Sequence, residues 1–321
     1  MKACILDAGS LGPDITLDAI LETPFEWTVW NTSRADEVKE RIAEVQLVLS
    51  NKAPLNRDSL RHASQLRYIS VLATGTNNVD LEAARDLSIQ VSNVRHYSTE
   101  AVVQHTLSFL LALSGQLLSY HTDVKAYRWQ GSPHFCYFNR PIHDLRGQVL
   151  TIVGYGSQGR RLAAVASQLG MDVRLVGRDR SGGIETDGFP RRSLAELLPL
   201  TDVLSFHCPL TPETQHLLHA GNILQLKKGA LVINCARGGL IDEEALASAL
   251  ECGHLGGAGI DVLAAEPPSF DHPLMKVKHP NFIMTPHIAW ASLGARRRLV
   301  EETAENIRTF LRGTPRNVVG P

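Results

Sequence analysis

The segment Val149 to Leu169 contains Val149-Leu-Thr-Ile-Val153, the run Gly154-Tyr-Gly156-Ser157-Gln158-Gly159 and the helical pattern Arg160 to Leu169. It reads as strand, glycine loop and helix. In that setting Gly154 permits a tight turn, Gly156 leaves room for a pyrophosphate, and Gly159 lets the helix approach the sheet. The helix N-terminus then offers its amides and the positive end of its dipole to phosphate, which is the chemistry of dinucleotide binding. An ordinary strand-to-helix turn could carry the same glycines, but strand and helix both flank them here. Three later β-type segments each run into a polar group that a buried interior would not hold unpartnered. These are Arg237 in Asn234-Cys235-Ala236-Arg237-Gly-Gly239, Glu266 in Asp261-Val-Leu-Ala-Ala-Glu-Pro267, and His287 in Thr285-Pro-His-Ile-Ala-Trp290. Strand C-termini in a doubly wound sheet are where ligands bind. Singly, each has a plainer reading: a structural ion pair, a surface carboxylate before a proline turn, a capped core histidine. Their order and spacing together favour a site.

The second strand of the glycine-loop section, Asp172 to Val176, selects the dinucleotide, because the residue at its end meets the adenosine ribose. An NAD site normally places a carboxylate there. This sequence has Gly177-Arg178-Asp179-Arg180. Arg178 and Arg180 beside a glycine suit a 2′-phosphate through charge-assisted hydrogen bonds, so NADP(H) is expected. Asp179 in the carboxylate role, after a small register shift, keeps NAD(H) open.

The elements that must position these residues follow from periodicity. The first 98 residues alternate short apolar runs with helical segments, with strands expected at Lys2 to Leu6, Val45 to Ser50 and Tyr68 to Leu72. That is the pattern of a parallel sheet with crossover helices. Ser98 to Leu118 reads as one long, mostly buried helix, and Tyr127 to Leu145 as an extended connection rich in aromatics, Pro, Gly and His. Strands are expected again at Val149 to Val153, Asp172 to Val176, Val203 to His207, Ala230 to Asn234, Gly257 to Val262 and Asn281 to Thr285. Six parallel strands make a doubly wound sheet. The charged helix Ser292 to Leu311, with no strand expected after it, is read as packing back on the first domain. The expectation is therefore an α/β protein in two domains. A doubly wound (Rossmann) cofactor domain spans 99–290, and a smaller flavodoxin-like substrate domain is split between 1–98 and 291–321.

Bulk properties narrow the partners. A chain of 321 residues with 44% hydrophobic content supports more than one core. Its 32 Lys and Arg balance 33 Asp and Glu, so a net charge of -1 gives no electrostatic reason to expect nucleic acid or an anionic membrane. Five cysteines without CxxC spacing argue against a disulfide framework and a zinc knuckle. With no signal-peptide stretch at Met1 to Asp7 and no apolar run of about 20 residues, a cytoplasmic protein is expected. Metal-dependent hydrolysis is disfavoured, since only His216 and His219 show helical spacing and no matched carboxylate accompanies them.

At Arg237, Glu266 and His287 the chain resembles the D-isomer-specific 2-hydroxyacid dehydrogenase family, from the Thr74-Gly75-Thr-Asn-Asn-Val-Asp80 loop to the final helix. Tyr97-Ser-Thr-Glu-Ala-Val-Val-Gln-His105 and Ser132-Pro-His-Phe-Cys-Tyr137 look like its glycerate dehydrogenase (hydroxypyruvate reductase) branch. The resemblance implies that Arg237 binds the carboxylate and carbonyl oxygen of a 2-keto acid. His287 would protonate that oxygen as hydride arrives, and Glu266 would fix the tautomer of His287 and favour its charged form. It further implies that Thr74 and Gly75 hold the substrate carboxylate. Thr74, Ser157, Gln158, Cys208, Pro209, Thr214, Cys235, Ala236 and Asp261 would touch the cofactor, Asp261 at the nicotinamide amide. Gln158 departs from the apolar residue usual before the third glycine. Hydroxypyruvate/D-glycerate and glyoxylate/glycolate are the implied substrate pairs, and a homodimer through the Ser98 helix and the loop after it is the implied assembly. The same family resemblance leaves a dinucleotide-sensing regulatory protein as the alternative.

Overall fold

The computed structural model describes residues 1–177 and 184–320, and the chain divides into two compact units, Met1–Ser98 with Ala291–Pro321 and Thr99–Trp290. In the first unit, β1 (Lys2–Ile5), β2 (Glu26–Val29), β3 (Leu47–Ser50), β4 (Tyr68–Val71) and β5 (Gln90–Ser92) form a parallel sheet. Their spatial order, β5-β4-β3-β1-β2, is that of flavodoxin-like sheets. The runs Leu-Val-Leu-Ser and Tyr-Ile-Ser-Val of β3 and β4 are wholly buried, as central strands covered on both faces require. β2 is the edge strand, and its mostly exposed Glu-Trp-Thr-Val carries no apolar run that could announce it.

The final helix, Leu293–Leu311, belongs to this unit. Ser292 caps it by accepting from Ala295 N at 3.2 Å, Phe310 stacks on Tyr68 at 4.2 Å between ring centroids, and Asn306 Nδ2 donates to Asn93 O at 2.9 Å. A strand does follow that helix, contrary to expectation: β14 (Val318–Val319) pairs antiparallel with β5. Two residues are too few for a periodic signal.

The second unit holds β6 (Val149–Val153), β7 (Asp172–Val176), β8 (Ile184–Thr186), β9 (Phe189–Arg192), β10 (Val203–Phe206), β11 (Leu231–Asn234), β12 (Gly257–Ile260) and β13 (Phe282–Met284). Their order is β13-β12-β11-β10-β6-β7-β9-β8. All pairs are parallel except the β8–β9 hairpin. Without β8 this is the 3-2-1-4-5-6 Rossmann order with one further strand at the β13 edge. β8 and β9 were absent from the sequence expectation: β9 is Phe-Pro-Arg-Arg, alternately half-buried and exposed, so it has charge where a central strand has apolar residues.

One sheet face packs Leu162, Ala163 and Ala166 of helix Ser157–Gln168 with Phe109, Leu110 and Leu113 of helix Thr99–Ser114, and the other packs Leu246, Ala249 and Leu250 of helix Glu243–Glu251. The helix expected over 98–118 is broken. It stops at Ser114 and resumes as Leu117–Lys125, because Gln116 adopts a left-handed φ of 52°. The connection that follows has neither helix nor strand and is anchored on the buried Asp123. That carboxylate accepts from Arg128 Nη1 at 2.9 Å, Asn139 Nδ2 at 2.8 Å and Arg140 Nη1, and the bond from Arg140 holds its carboxyl below the usual carboxylate range. No single helix among the described residues is long and apolar enough to cross a membrane.

The close approach of Phe109 to β12 depends on Gly259, where a Cβ would sit 2.6 Å from the ring carbon Cγ. Gly259→Ala overpacks this contact and should lower unfolding free energy by about 1–3 kcal/mol, read as a reduced urea midpoint.

Candidate active site

The sheet order places five loops side by side along one edge of the second unit. The glycine loop leaves β6, Cys208-Pro209 follows β10, Arg237 follows β11, Glu266 follows β12 and His287 follows β13. Because the strands are parallel, all five emerge at their carboxyl ends, with the β6/β10 switch point at the glycine loop.

The glycine loop fits phosphate. Gly154 has φ 99°, and a Cβ there would lie 2.6 Å from the backbone of His207 and Cys208, so the loop rests directly on the end of β10. At Gly159 a Cβ would strike the Gly154 carbonyl oxygen, which is why the helix can start so close to the sheet. At Gly156 a Cβ would meet nothing within 4 Å. Open space therefore lies beside the N-terminus of a twelve-residue helix whose first amides lack intrahelical acceptors, the setting for a pyrophosphate. Ser157 is exposed there and Gln158 half-buried.

Around the loop, Thr214 Oγ1 accepts from Thr211 N at 2.7 Å and donates to Pro209 O at 2.8 Å, fixing the turn after β10. His207 is buried, its Nε2 lies 2.8 Å from Ser205 Oγ, and burial pushes its pKa down to about 4. It is neutral at working pH. Burial raises the Cys208 thiol to about 11 and the Cys235 thiol to about 12, so neither is a thiolate nucleophile. Cys235 and Ala236 are buried in the corner before Arg237, where Asn234 Oδ1 accepts from Ala236 N at 3.0 Å and Asn234 Nδ2 donates to Arg237 O at 2.8 Å. This buried asparagine was not singled out from the sequence. An amide ending an apolar strand was its only signal.

His287 Nδ1 lies 2.6 Å from Glu266 Oε2, and Glu266 Oε1 accepts from Leu263 N at 2.8 Å. A carboxylate accepts, so Nδ1 carries the hydrogen and Nε2 is the nitrogen left for other chemistry. His287 has a left-handed φ of 54°, an uncommon conformation for a residue with a side chain. Asp261 holds it there. Its carboxylate is 1% exposed and accepts from Thr285 Oγ1, from Ile288 N at 2.9 Å and from Ala289 N at 2.8 Å. Its carbonyl accepts from His287 N at 2.7 Å, and Trp290 Nε1 donates to His287 O at 2.9 Å. Asp261 is thus the internal brace of the histidine turn.

The half-buried Arg237 donates through Nη1 to Ala236 O at 2.7 Å. Its neighbour Gly238 packs against the Leu263–Ala264 peptide so closely that a Cβ would overlap it, which ties the Arg237 corner to the loop carrying Glu266. In the other unit, Thr74 and Gly75 follow β4; Thr74 Oγ1 donates to Val94 O at 2.8 Å and Asn93 Nδ2 donates to Thr74 O at 2.6 Å. Arg178, Asp179 and Arg180 lie outside the described residues. Among the described residues no three His, Cys, Asp or Glu side chains group to hold a metal, and His219 Nδ1 instead accepts from Gly221 N at 3.1 Å.

The glycines separate folding from binding. Gly156→Ala points into open space, so its thermal melt should match the parent while dinucleotide affinity drops at least 10-fold in a fluorescence titration. Gly154→Ala meets backbone and should lower the melting temperature as well.

Residues 107–289 match the family model described as D-isomer specific 2-hydroxyacid dehydrogenase, NAD binding domain. The chain is 39% identical over 322 residues to a glycerate dehydrogenase of Methylorubrum extorquens, covering 99% of this chain and 98% of the relative. It is 36% identical over 322 residues to a hydroxypyruvate reductase of Blautia hydrogenotrophica, with 99% of each covered. Among solved structures, a D-lactate dehydrogenase from Aquifex aeolicus complexed with NAD and lactic acid superposes with a TM-score of 0.87 at 25% identity, covering 100% of both chains. The shared strand order, the glycine loop at its switch point and relatives aligned over nearly their whole length have one reading: the chain belongs to the D-isomer specific 2-hydroxyacid dehydrogenase family.

Proposed function

We propose that this chain reduces a small 2-keto acid to its D-2-hydroxy acid, with hydroxypyruvate and glyoxylate as the leading substrates. The observation that carries the reading is the 2.6 Å bond from His287 Nδ1 to Glu266, formed on the same sheet edge as Arg237 and the glycine loop. A nicotinamide dinucleotide, when bound, supplies the hydride to C2 of the keto acid. His287 in its imidazolium form gives the Nε2 proton to the carbonyl oxygen, which becomes the hydroxyl; in the reverse direction the neutral ring takes that proton back. Glu266 keeps Nδ1 protonated through both states, so proton traffic is confined to Nε2. Arg237 stays cationic at any working pH, and its fork matches the carboxylate and carbonyl oxygens. Thr74 and Gly75 are proposed to add backbone amides for the substrate carboxylate. Ser157, Gln158, Cys208, Pro209, Thr214, Cys235 and Ala236 are proposed as walls of the cofactor groove, with Asp261 meeting the nicotinamide amide.

NADP(H) is proposed as the preferred cofactor. Support comes from Arg178 and Arg180 after β7 and from a further cation: a Cβ on Gly177 would lie 2.7 Å from Arg191 Cδ, so β9 lays an arginine beside the end of β7, where the adenosine ribose belongs. A homodimer is proposed through helix Leu117–Lys125 and the loop after it. These expose Leu117, Leu118, Tyr127, Phe135, Phe138 and Ile142, an apolar surface of the kind that contacts bury. The five free cysteines are consistent with a cytoplasmic setting.

A panel of 2-keto acids against NADPH and NADH, compared as kcat/KM, tests the reading; no turnover with any pair would end it, and a strong preference for NADH would end the NADP(H) assignment. His287→Ala should lower kcat by about 10²–10⁴-fold. Glu266→Gln should displace the pH profile more than it changes cofactor affinity. Arg237→Lys should lose both turnover and substrate affinity, because an ammonium cannot reproduce the fork.

A further inference from the structure

Behind the His287 and Glu266 pair stands a second histidine and carboxylate. His272 Nε2 lies 3.0 Å from Glu243 Oε2, and the other oxygen of that carboxylate, Oε1, accepts from Ala264 N at 2.8 Å. The next amide back along the chain, Leu263 N, donates to Glu266 Oε1. Two carboxylates therefore hold two consecutive amides of one loop, and Glu266 is the one whose remaining oxygen meets His287. The outer pair is the better buried: side-chain exposure is 9% for His272 and 15% for Glu243, against 24% for His287 and 33% for Glu266.

The Nδ1 of His272 accepts from Leu274 N at 3.3 Å, capping the short helix Pro273–Lys276, which leaves Nε2 as the nitrogen that donates to Glu243. Glu243 opens helix Glu243–Glu251, whose N-cap Asp242 accepts from Glu244 N and Ala245 N, both at 3.1 Å. The Glu243 carboxylate is thus fixed to the segment that begins at Arg237, while Gly238 in that segment presses on the Leu263–Ala264 peptide. The loop bearing Glu266 is gripped from the side of β11 by a steric contact and a carboxylate, and from its own far end by His272.

We propose that Glu243 and His272 form a positioning clamp that sets the register of Glu266 against His287 relative to Arg237. The proposal rests on the dehydrogenase reading for its catalytic consequences and on geometry alone for its structural ones. Neither residue touches substrate or the reacting atoms. They act through the 263–264 peptide, so their loss displaces a carboxylate that must meet an imidazole at 2.6 Å. Small displacements of positioned groups reduce rate steeply.

The test uses the full chain with two single variants and their double. His272→Asn retains a cap acceptor for Leu274 N and loses only the reach to Glu243. Glu243→Ala removes both bonds. Each should lower kcat by about 10-fold or more and displace its pH profile, with dinucleotide Kd within about 2-fold of the parent. The double variant should be no worse than Glu243→Ala, the non-additivity of groups acting as one unit. A second readout needs no turnover: the ring Nδ1–H proton of His287, hydrogen-bonded to Glu266 in the parent, should lose its downfield NMR position in dinucleotide-free protein of both variants, as the Glu266 carboxylate withdraws. Variants that melt earlier yet keep the parent kcat, pH profile and His287 ring-proton signal would overturn the clamp and leave a structural cap. A parent protein that turns over no 2-keto acid, with the His287 ring-proton signal still moving in the variants, would retain the clamp and overturn the dehydrogenase reading instead.

Discussion

A histidine in left-handed backbone is held in place by one buried carboxylate, and the rest of the site is arranged around that fact. Asp261 has no solvent to satisfy it, so its oxygens must take donors from the chain, and the donors it takes are the amides of Ile288 and Ala289 and the hydroxyl of Thr285. Those bonds wind 285–289 into a turn that His287 could not hold alone, since φ of 54° disfavours any side chain. The desolvation cost of the acid is offset by bonds that also aim the imidazole. Removing the carboxylate would release the turn, leaving Glu266 with nothing in register to meet.

The sheet does the remaining alignment by topology. Neighbouring parallel strands end at the same edge, so residues 50 apart in sequence, such as Arg237 and His287, come from loops separated by a single strand, β12. Small residues then let those loops touch. Gly154 rests on the end of β10 and Gly238 on the 263–264 peptide, and neither contact tolerates a Cβ.

Much of this could be read from the residues. Long apolar runs announced β3, β4, β6 and β10, because strands buried on both faces have no room for anything else. The glycine spacing announced the tight turn between β6 and its helix, and polar residues stranded at strand ends marked Arg237, Glu266 and His287, whose loops leave one sheet edge. What escaped was whatever lacked an apolar signature. β2 and β9 are solvent-facing, β14 has two residues, and the break at Gln116 depends on a backbone torsion that no side-chain pattern encodes. Supporting groups escaped for a different reason. Asn234, Glu243 and His272 act through hydrogen bonds to amides, and an acceptor for a backbone amide looks in sequence like any other surface polar residue.

The first unit takes strands from the beginning of the chain and its last helix and edge strand from the end. Phe310 covers Tyr68, Asn306 occupies the Asn93 carbonyl, and β14 closes the side of β5. During synthesis on the ribosome, the segment that emerges first must wait for the final thirty or so residues before its core is sealed, whereas 99–290 has everything it needs earlier. The unit whose strands are made before 99–290 is therefore finished after it, and the nascent β4 and β5 are exposed to chaperones, or to one another in neighbouring chains, throughout that delay.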